Sequence, residues 1–302
     1  MIVWRGCETA CRGFIRYFDV RRLPVNVTVT DVARDKTKLP EIKARLQEEK
    51  PDLVVTWGTT VTRSILGTIS DYGTQTALGD IPSLFMIVAD PVRSDIIENY
   101  NTTGRPWLTG VHNRIKEEVQ LKQIFEYYHP NLLAVINSPS ELNSRQNTQK
   151  LAALSKSMGF ELLSLDYEMG DDEKPVASSI SDRIAQAKAM GADAIYVGSS
   201  SYNLENRREF TAAALEHKLP VFSAYEQMVR DGMALMSVSN SYANVGKLAA
   251  SQADQILLGK QMPGSLPVKA LDRFSIFINM KAAKQLDLYP PLPLALVAEV
   301  VQ

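Results

Sequence analysis

Groups of hydroxyl, carboxylate, amide and aromatic side chains follow the short apolar runs of this 302-residue sequence. Together such groups hydrogen-bond to, and stack on, a small polar molecule. We therefore predict a binding site for a small ligand. The candidate ligand-binding residues are Trp57, Gly58, Thr59, Thr60, Asp90, Ser140, Glu141, Asn143, Ser199, Ser200, Tyr202, Tyr225 and Glu226.

Two of these groups are rich in hydroxyls, Thr59-Thr60 and the serines 199–201, and each stands where a helix is predicted to begin. Hydroxyls and the first backbone N–H groups of a helix favour a carboxylate or another anion. The alternative is that they are ordinary N-caps. Equivalent places in two similar halves of the chain favour the ligand-binding interpretation.

The acidic candidates would receive an ammonium group: Asp90, Glu141 and Glu226. For Asp90, which precedes Pro91, the alternative is a turn residue. For Glu141 it is an acid stabilised by a helix N-terminus. Trp57 and Tyr202 are candidates for ring contacts with the ligand, with plain core positions as the alternative.

Motifs of known catalytic chemistry are missing from the sequence: G-x-S-x-G, the Walker A motif, G-x-G-x-x-G and H-E-x-x-H. The three histidines are scattered at positions 112, 129 and 217. We expect no catalytic residue, no cofactor and no metal site. An α/β enzyme built on paired carboxylates such as Asp90 and Glu226 is the least favoured alternative.

The two cysteines, Cys7 and Cys11, are four residues apart. Two thiols are too few for a disulfide framework. We expect two small buried side chains, and a local disulfide or a redox pair remains open.

Short apolar runs alternate with amphipathic segments, which predicts parallel sheets covered by helices on both faces. The predicted strands are Ile2–Trp4, Val25–Val29, Leu53–Trp57, Leu84–Val88, Leu132–Ile136, Glu161–Leu165, Ala194–Val197, Val221–Ala224, Ala234–Val238 and Phe274–Ile278. The predicted helices are Glu41–Glu49, Ile115–Tyr128, Ser144–Met158, Ile180–Met190, Glu205–His217, one from about Tyr242 to Leu258 and a last one near Lys281–Leu286. The ligand should bind beyond the carboxyl ends of the strands.

The order of elements repeats: "KPDLVVTWGTT" is echoed by "GADAIYVGSSS", and "IPSLFMIVADP" by "LPVFSAYEQ". The repeat predicts two doubly wound parallel-sheet α/β lobes joined by a hinge, with a ligand cleft between them. We expect lobe I at 1–112 plus about 240–270, and lobe II at 113–239 plus about 271–302.

The charge is balanced, with 33 basic and 34 acidic residues, and no basic stripe favours a nucleic-acid partner. No apolar stretch is long enough to span a membrane. The sequence opens on a predicted strand rather than on a signal peptide. We therefore expect either a cytosolic protein or one whose targeting segment is absent from this chain.

Segments along nearly the whole chain together resemble one family. They are "VVTWGTTVTRSI", "FMIVADPV", "WLTGVHN", "VINSPSELNS", "DAIYVGSSS", "LPVFSAYEQMVRDGMAL", "SYANVGKLAA" and "GKQMPGSLPV…FSIFINMKAAKQLDL". The chain resembles the ABC-transporter solute-binding proteins with the class I periplasmic-binding-protein fold, the type that includes tryptophan-binding and other amino-acid-binding members.

The resemblance implies capture of an amino acid or similar small molecule outside the cytoplasm by hinge closure, and delivery to an ABC permease and its ATPase. It also implies a periplasmic protein or an extracytoplasmic lipoprotein, in contact with the membrane only through the permease or a lipid anchor. The resemblance maps the family's ligand contacts onto Gly58-Thr59-Thr60, Asp90, the Pro139–Glu141 and Asn143 region, Ser199-Ser200 and the loop after Phe222. The chain departs from the family at Trp57 and Ala224-Tyr225, so its ligand is expected to differ from the common amino acids. A ligand-sensing module of a regulatory system is the alternative.

Overall fold

Short strands alternate with helices along the chain in the computed structural model, which describes residues 1–74, 77–113, 115–171 and 174–301. The strands are β1 (Ile2–Val3), β2 (Thr30–Asp31), β3 (Val54–Trp57), β4 (Ser83–Val88), β5 (Leu108–His112), β6 (Leu132–Asn137), β7 (Glu161–Asp166), β8 (Ala194–Val197), β9 (Val221–Ser223), β10 (Met236–Ser239), β11 (Ser275–Asn279) and β12 (Glu299–Val301). The helices are α1 (Thr9–Arg21), α2 (Leu39–Glu49), α3 (Thr59–Leu66), α4 (Glu117–Phe125), α5 (Leu142–Met158), α6 (Ser179–Ala189), α7 (Ser201–Glu205), α8 (Arg207–Glu216), α9 (Glu226–Arg230), α10 (Tyr242–Leu257), α11 (Met280–Leu286) and α12 (Leu292–Val297).

The chain divides into two units, residues 1–114 with 241–272 and residues 115–240 with 273–302. The first unit holds a sheet of strand order β2-β1-β3-β4-β5, in which all pairs are parallel. The central strands β3 and β4 are buried along their whole length. Helices therefore cover the sheet on both faces, as expected for a parallel sheet.

Helices α1 and α10 pack closely against each other in the first unit. A Cβ atom on Gly246 of α10 would lie 2.0 Å from the backbone oxygen of Ala10 in α1. This position therefore requires glycine, because any side chain would push the two helices apart.

The second unit holds a sheet of order β12-β11-β10-β9-β8-β6-β7. All its pairs are parallel except β10 with β11. The part β7-β6-β8-β9-β10 repeats the order β2-β1-β3-β4-β5 of the first unit, which is the doubly wound order 2-1-3-4-5. The two-lobe α/β fold expected from the sequence is thus confirmed.

Some elements differ from the sequence-based expectation. The strand predicted at Val25–Val29 is wrong: in this region only Thr30 and Asp31 pair with β1, which is itself two residues long. Strand β5 was not expected, because its sequence LTGVH is interrupted by a glycine. Gly110 is needed there, since a Cβ atom would lie 2.5 Å from the ring of Phe85.

The cysteines correct another expectation. Cys7 and Cys11 form a disulfide rather than two separate buried thiols. Cys7 lies in the loop after β1 and Cys11 in the first turn of α1, so the bond ties this loop to the helix start.

Candidate functional site

The first group of candidate residues lies at the carboxyl edge of the first sheet. The parallel register pairs Ile2 with Thr56 and Trp57 with Met86, so β1, β3 and β4 end at the same edge. The residues that follow these strands therefore lie along one rim of the sheet, where open α/β sheets bind ligands.

Trp57 ends β3 and is buried, with 6% of its surface exposed. Its neighbour Thr56 bonds the hydroxyl of Thr62 in α3 at 2.9 Å, so Thr56 faces that helix. Successive side chains of a strand point to opposite faces. Trp57 accordingly lies on the face away from α3, where the guanidinium of Arg5 stacks over its ring at 5.5 Å. Its indole Nε1 is buried and has no hydrogen-bond partner among the described residues.

Gly58 is the N-cap of α3 and has φ 84° and ψ 161°, a backbone conformation essentially restricted to glycine. Its carbonyl oxygen accepts bonds from the backbone and the hydroxyl of Thr62. Within the described ranges, no side chain caps the N-terminus of α3. Thr59 and Thr60 form its first turn and are half-buried. The first N–H groups of the helix thus lack a side-chain acceptor there, which favours a negatively charged group.

Asp90 lies two residues beyond the end of β4 and is 7% exposed. Its Oδ1 accepts the backbone N–H of Arg93 at 3.1 Å, and its carbonyl accepts that of Ser94. Asp90 therefore forms the turn that the sequence suggested as the alternative. A carboxylate accepts more than one hydrogen bond, so a turn role and a ligand contact are compatible.

The second group lies at the carboxyl edge of the second sheet. Strands β9, β8 and β6 are neighbours in that order, and their register brings their ends to one edge. The predicted residues after them are Ser140, Glu141, Asn143, Ser199, Ser200, Tyr202, Tyr225 and Glu226.

Three of these residues make hydrogen bonds that fix the loop after β8. The carboxylate of Glu141 accepts the backbone N–H groups of Ser201 at 2.6 Å and Tyr202 at 3.0 Å. Asn143 Nδ2 donates to the carbonyl oxygen of Ser199. Ser200 is 2% exposed and caps α7 through the N–H of Asn203. Their structural role is therefore to hold the start of α7.

The fixed loop carries Ser199 and the first turn of α7 carries Tyr202, and both residues are half-buried. The ring of Tyr202 meets that of Tyr167 edge to face at 5.0 Å between centroids. Burial raises the pKa of Tyr202, with smaller contributions from Glu209 and Glu205. Ser140 is exposed, and its hydroxyl lies 3.3 Å from that of Ser138.

Tyr225 and Glu226 begin α9 and are each 8% exposed. The N–H of Tyr225 donates to the hydroxyl of Ser223, which ends β9. Glu226 pairs with Arg230 one turn further along the helix, at 3.7 Å. These two residues are better buried than Ser140.

Sequence analysis missed a buried polar cluster in the second unit. Asn147 of α5 donates to Glu117 of α4 at 2.8 Å, and both are at least nine-tenths buried. A Cβ atom on Gly198 would lie 1.8 Å from Asn147 Oδ1, so the amide packs directly on this glycine. Gly198, directly after β8, was the one available signal in the sequence, because a glycine there allows a close approach.

Metal-ligand clusters and membrane-spanning helices are both absent from the described part of the chain. It contains no group of three or more His, Cys, Asp or Glu side chains arranged to hold a metal ion. Among the helices described, none has both the length and the apolar character needed to cross a bilayer.

Two α/β units with repeated strand order and polar residues at their carboxyl edges define a class I periplasmic-binding-protein fold. A family model, the ABC transporter substrate-binding proteins, matches residues 23–300, and the chain belongs to this family. Proteins of the family act outside the cytoplasm, bind a small molecule and work with an ABC permease. They are solute-binding proteins rather than enzymes.

Solved structures share the fold over the whole chain. An ABC domain from Streptococcus pneumonia in complex with L-Trp has a TM-score of 0.83 at 19% identity, and the alignment covers 100% of this chain and 99% of that one. A conserved domain protein from Vibrio cholerae has a TM-score of 0.84 at 20% identity, with 100% and 98% covered. CD0873 from Clostridium difficile is a substrate-binding protein with adhesive properties, solved in its ligand-free, open form. Its TM-score is 0.72 at 18% identity, and the alignment covers 100% of this chain and 97% of that one. A comparison with curated protein sequences gives no match.

Proposed function

We propose that this chain binds an amino acid or a similar small zwitterion and delivers it to an ABC permease driven by its ATPase. The observation that carries the proposal is the uncapped N-terminus of α3 at Gly58–Thr60, which shares a sheet edge with the carboxylate of Asp90. A helix start attracts a carboxylate and an aspartate attracts an ammonium group. The similar structure that was solved with L-Trp supports the same ligand class.

In the first unit, we assign the ligand carboxylate to the N–H groups and hydroxyls of Thr59 and Thr60. Gly58 leaves this helix start open, because it contributes no side chain. Asp90 receives the ammonium group. Trp57 is mostly buried at the end of β3, so we assign it to the lining of the site, beneath the residues that follow the strand.

In the second unit, we assign the contacts to Ser199, Tyr202, Tyr225 and Glu226. Glu141, Asn143 and Ser200 hold the loop that carries Ser199 and the start of α7, which carries Tyr202. Ser140 extends the same edge. Ligand contacts to both groups would make a closed state bind better than an open one, and closure would be the signal that the permease recognises.

The location that follows from this proposal is the periplasm, or the outer face of the cytoplasmic membrane if the chain is lipid-anchored. The protein would return its ligand chemically unchanged.

Three probe compounds test the zwitterion assignment: L-tryptophan, L-tryptophanamide and indole-3-propionate. L-tryptophan represents the zwitterion class here because it is the ligand in a similar solved structure. The amide lacks the carboxylate and the propionate lacks the amine. Isothermal titration calorimetry should give the tightest binding for L-tryptophan and at least about tenfold weaker binding for each analogue, since each loses one charged hydrogen-bonding group.

The substitution Asp90→Asn sharpens this test, because asparagine keeps the Oδ1 acceptor for the N–H of Arg93. We expect about a tenfold loss of affinity for L-tryptophan and little change for indole-3-propionate. Asp80→Asn is the matched control, since Asp80 is exposed and precedes β4 at the opposite edge of the same sheet. Equal losses for both ligands, or an unchanged affinity for L-tryptophan, would contradict the role of Asp90.

A further inference from the structure

Arg105 is a buried cation at the edge of the first sheet opposite the candidate site. It precedes β5 and is 7% exposed. Its Nη1 donates to the carbonyl oxygens of Gly67 at 3.0 Å and Ile96 at 3.4 Å, and its Nη2 donates to that of Leu66. One guanidinium thus joins two separate segments of the chain.

The first of these segments is the C-terminal end of α3. Leu66 is the last residue of that helix and Gly67 is its C-cap. A cation at this end satisfies carbonyl groups that have no partner within the helix and interacts favourably with its dipole. The helix has eight residues and is therefore about 12 Å long. Its other end carries Thr59 and Thr60.

The second segment is the turn that begins at Asp90. The N–H of Ser94 donates to the carbonyl of Asp90, and that of Ile96 donates to Pro91 at 2.9 Å. The carbonyl of Ile96 then accepts Nη1 of Arg105. A short hydrogen-bonded segment therefore connects Arg105 to the proposed ammonium-binding carboxylate.

Arg105 is also held in place through its backbone and by an aromatic ring. The hydroxyl of Thr103, which is 1% exposed, donates to the carbonyl oxygens of Arg105 at 2.8 Å and Leu108 at 3.0 Å. The side chain lies 5.6 Å from the ring centroid of Tyr72. Nε of Arg105 has no hydrogen-bond partner among the described residues. Arg105 also lines a cavity of about 10 Å³, enough for about one water molecule.

We propose that Arg105 is a positioning residue that fixes Thr59-Thr60 and Asp90 relative to each other from the far ends of their segments. The inference rests on the ligand assignment above. Burial lowers the pKa of Arg105, while Tyr72, Asp71 and Asp95 act in the opposite direction. The arginine remains a cation, because its ordinary pKa is far above neutral.

Hydrogen–deuterium exchange on the ligand-free protein tests this role without any ligand. Arg105→Lys should increase deuterium uptake in peptides covering 58–67 and 90–97, because lysine is a point charge and lacks the planar fork. Gln252→Met is the matched control: Gln252 is fully buried in the same unit and bonds Pro267, which belongs to neither segment. Unchanged uptake, or an equal increase throughout residues 1–113, would overturn the proposal.

Binding supplies the second readout. Arg105→Lys should weaken the binding of L-tryptophan by about tenfold. The binding of L-tryptophanamide and of indole-3-propionate should weaken by less, because only L-tryptophan needs Thr59-Thr60 and Asp90 at a fixed distance from each other. A merely destabilised protein would lose affinity for all three ligands equally, as would Arg105→Met if it unfolds. If the wild type binds none of the three while exchange rises at 58–67 and 90–97, the ligand assignment fails and the positioning role stands.

Discussion

The carboxylate of Glu141 accepts a hydrogen bond from the backbone N–H of Ser201 at 2.6 Å, although the two residues are 60 positions apart in the sequence. Glu141 follows β6 and Ser201 follows β8, which are neighbouring strands. The acid therefore caps α7, the helix that follows the neighbouring strand β8. It shapes the candidate site by fixing the loop with Ser199 and the helix start with Tyr202.

Removal of this cap should loosen the start of α7. Glu141→Ala leaves two helix N–H groups without their acceptor and should lower the free energy of unfolding by about 1 kcal/mol. Glu141→Gln keeps one acceptor oxygen and should cost less. Urea unfolding monitored by circular dichroism measures both. Equal stability of the alanine variant and the wild type would show that the cap contributes nothing.

The conformation of Gly58 gives a second prediction. Gly58→Ala places a side chain at φ 84° and ψ 161° and should cost about 1–3 kcal/mol of stability. Gly159→Ala is the matched control: its φ of 76° and ψ of 37° lie in the left-handed helical region, which alanine tolerates better. A Cβ atom on either glycine would meet no neighbouring atom of the described residues within 4 Å, so the two substitutions differ in backbone conformation rather than in crowding. A larger loss for Gly159→Ala would contradict the prediction.

The disulfide between Cys7 and Cys11 closes a short loop between β1 and the first turn of α1. Its loss should lower the free energy of unfolding by about 2 kcal/mol, the loop-entropy value for a ring of this size. The measurement is a urea titration of the wild type with and without reductant, beside the double variant Cys7→Ser/Cys11→Ala. The variant should be insensitive to reductant. A wild type whose midpoint does not move on reduction would show that the bond is not stabilising.

From the burial of Tyr167 we predict that the folded protein loses stability at alkaline pH. Burial raises its pKa well above 10.0, and Tyr202 and Glu141 act in the same direction. The neutral phenol is therefore favoured in the folded state, and its contribution is fully present below the unfolded pKa of 10.0. The contribution falls as the pH rises from there toward the folded pKa, because the unfolded chain then binds fewer protons.

Tyr167→Phe isolates this effect. The variant loses the bond to Asn203 Oδ1 at 2.7 Å and should be about 1 kcal/mol less stable at neutral pH. Its stability should then fall less steeply above about pH 10 than that of the wild type. Parallel declines of the two proteins in urea titrations across that range would assign the alkaline loss to other groups.

Much of the fold could be predicted from local patterns. The buried strands β3 and β8 are nearly continuous apolar runs, and the similar residues around them indicated two similar units. The strand predicted at Val25–Val29 was wrong because alternating apolar and polar residues also fit a half-exposed connecting segment. Only pairing with another strand distinguishes a strand from such a segment. Helix α1 was not predicted, although Ala10, Cys11, Phe14 and Phe18 have the helical spacing of its buried face.

Of the candidate site, the sequence predicted only the residues that directly follow the strands. The Gly58–Thr60 turn and Asp90 follow directly from apolar runs, so their place at the sheet edge was predictable. The contact of Glu141 with Ser201 and the bonds of Arg105 to Leu66 and Ile96 depend on which strands and segments become neighbours. No local spacing encodes such contacts.

The most direct test of the account is native mass spectrometry of the protein purified under mild conditions, with the ligand released and identified, and calorimetry with the identified compound. The account predicts a small molecule carrying both a carboxylate and an ammonium group, recovered unchanged, whose affinity falls about tenfold in Asp90→Asn. A ligand without those groups, such as a neutral sugar, would contradict the proposed function, and a ligand recovered in altered form would indicate an enzyme.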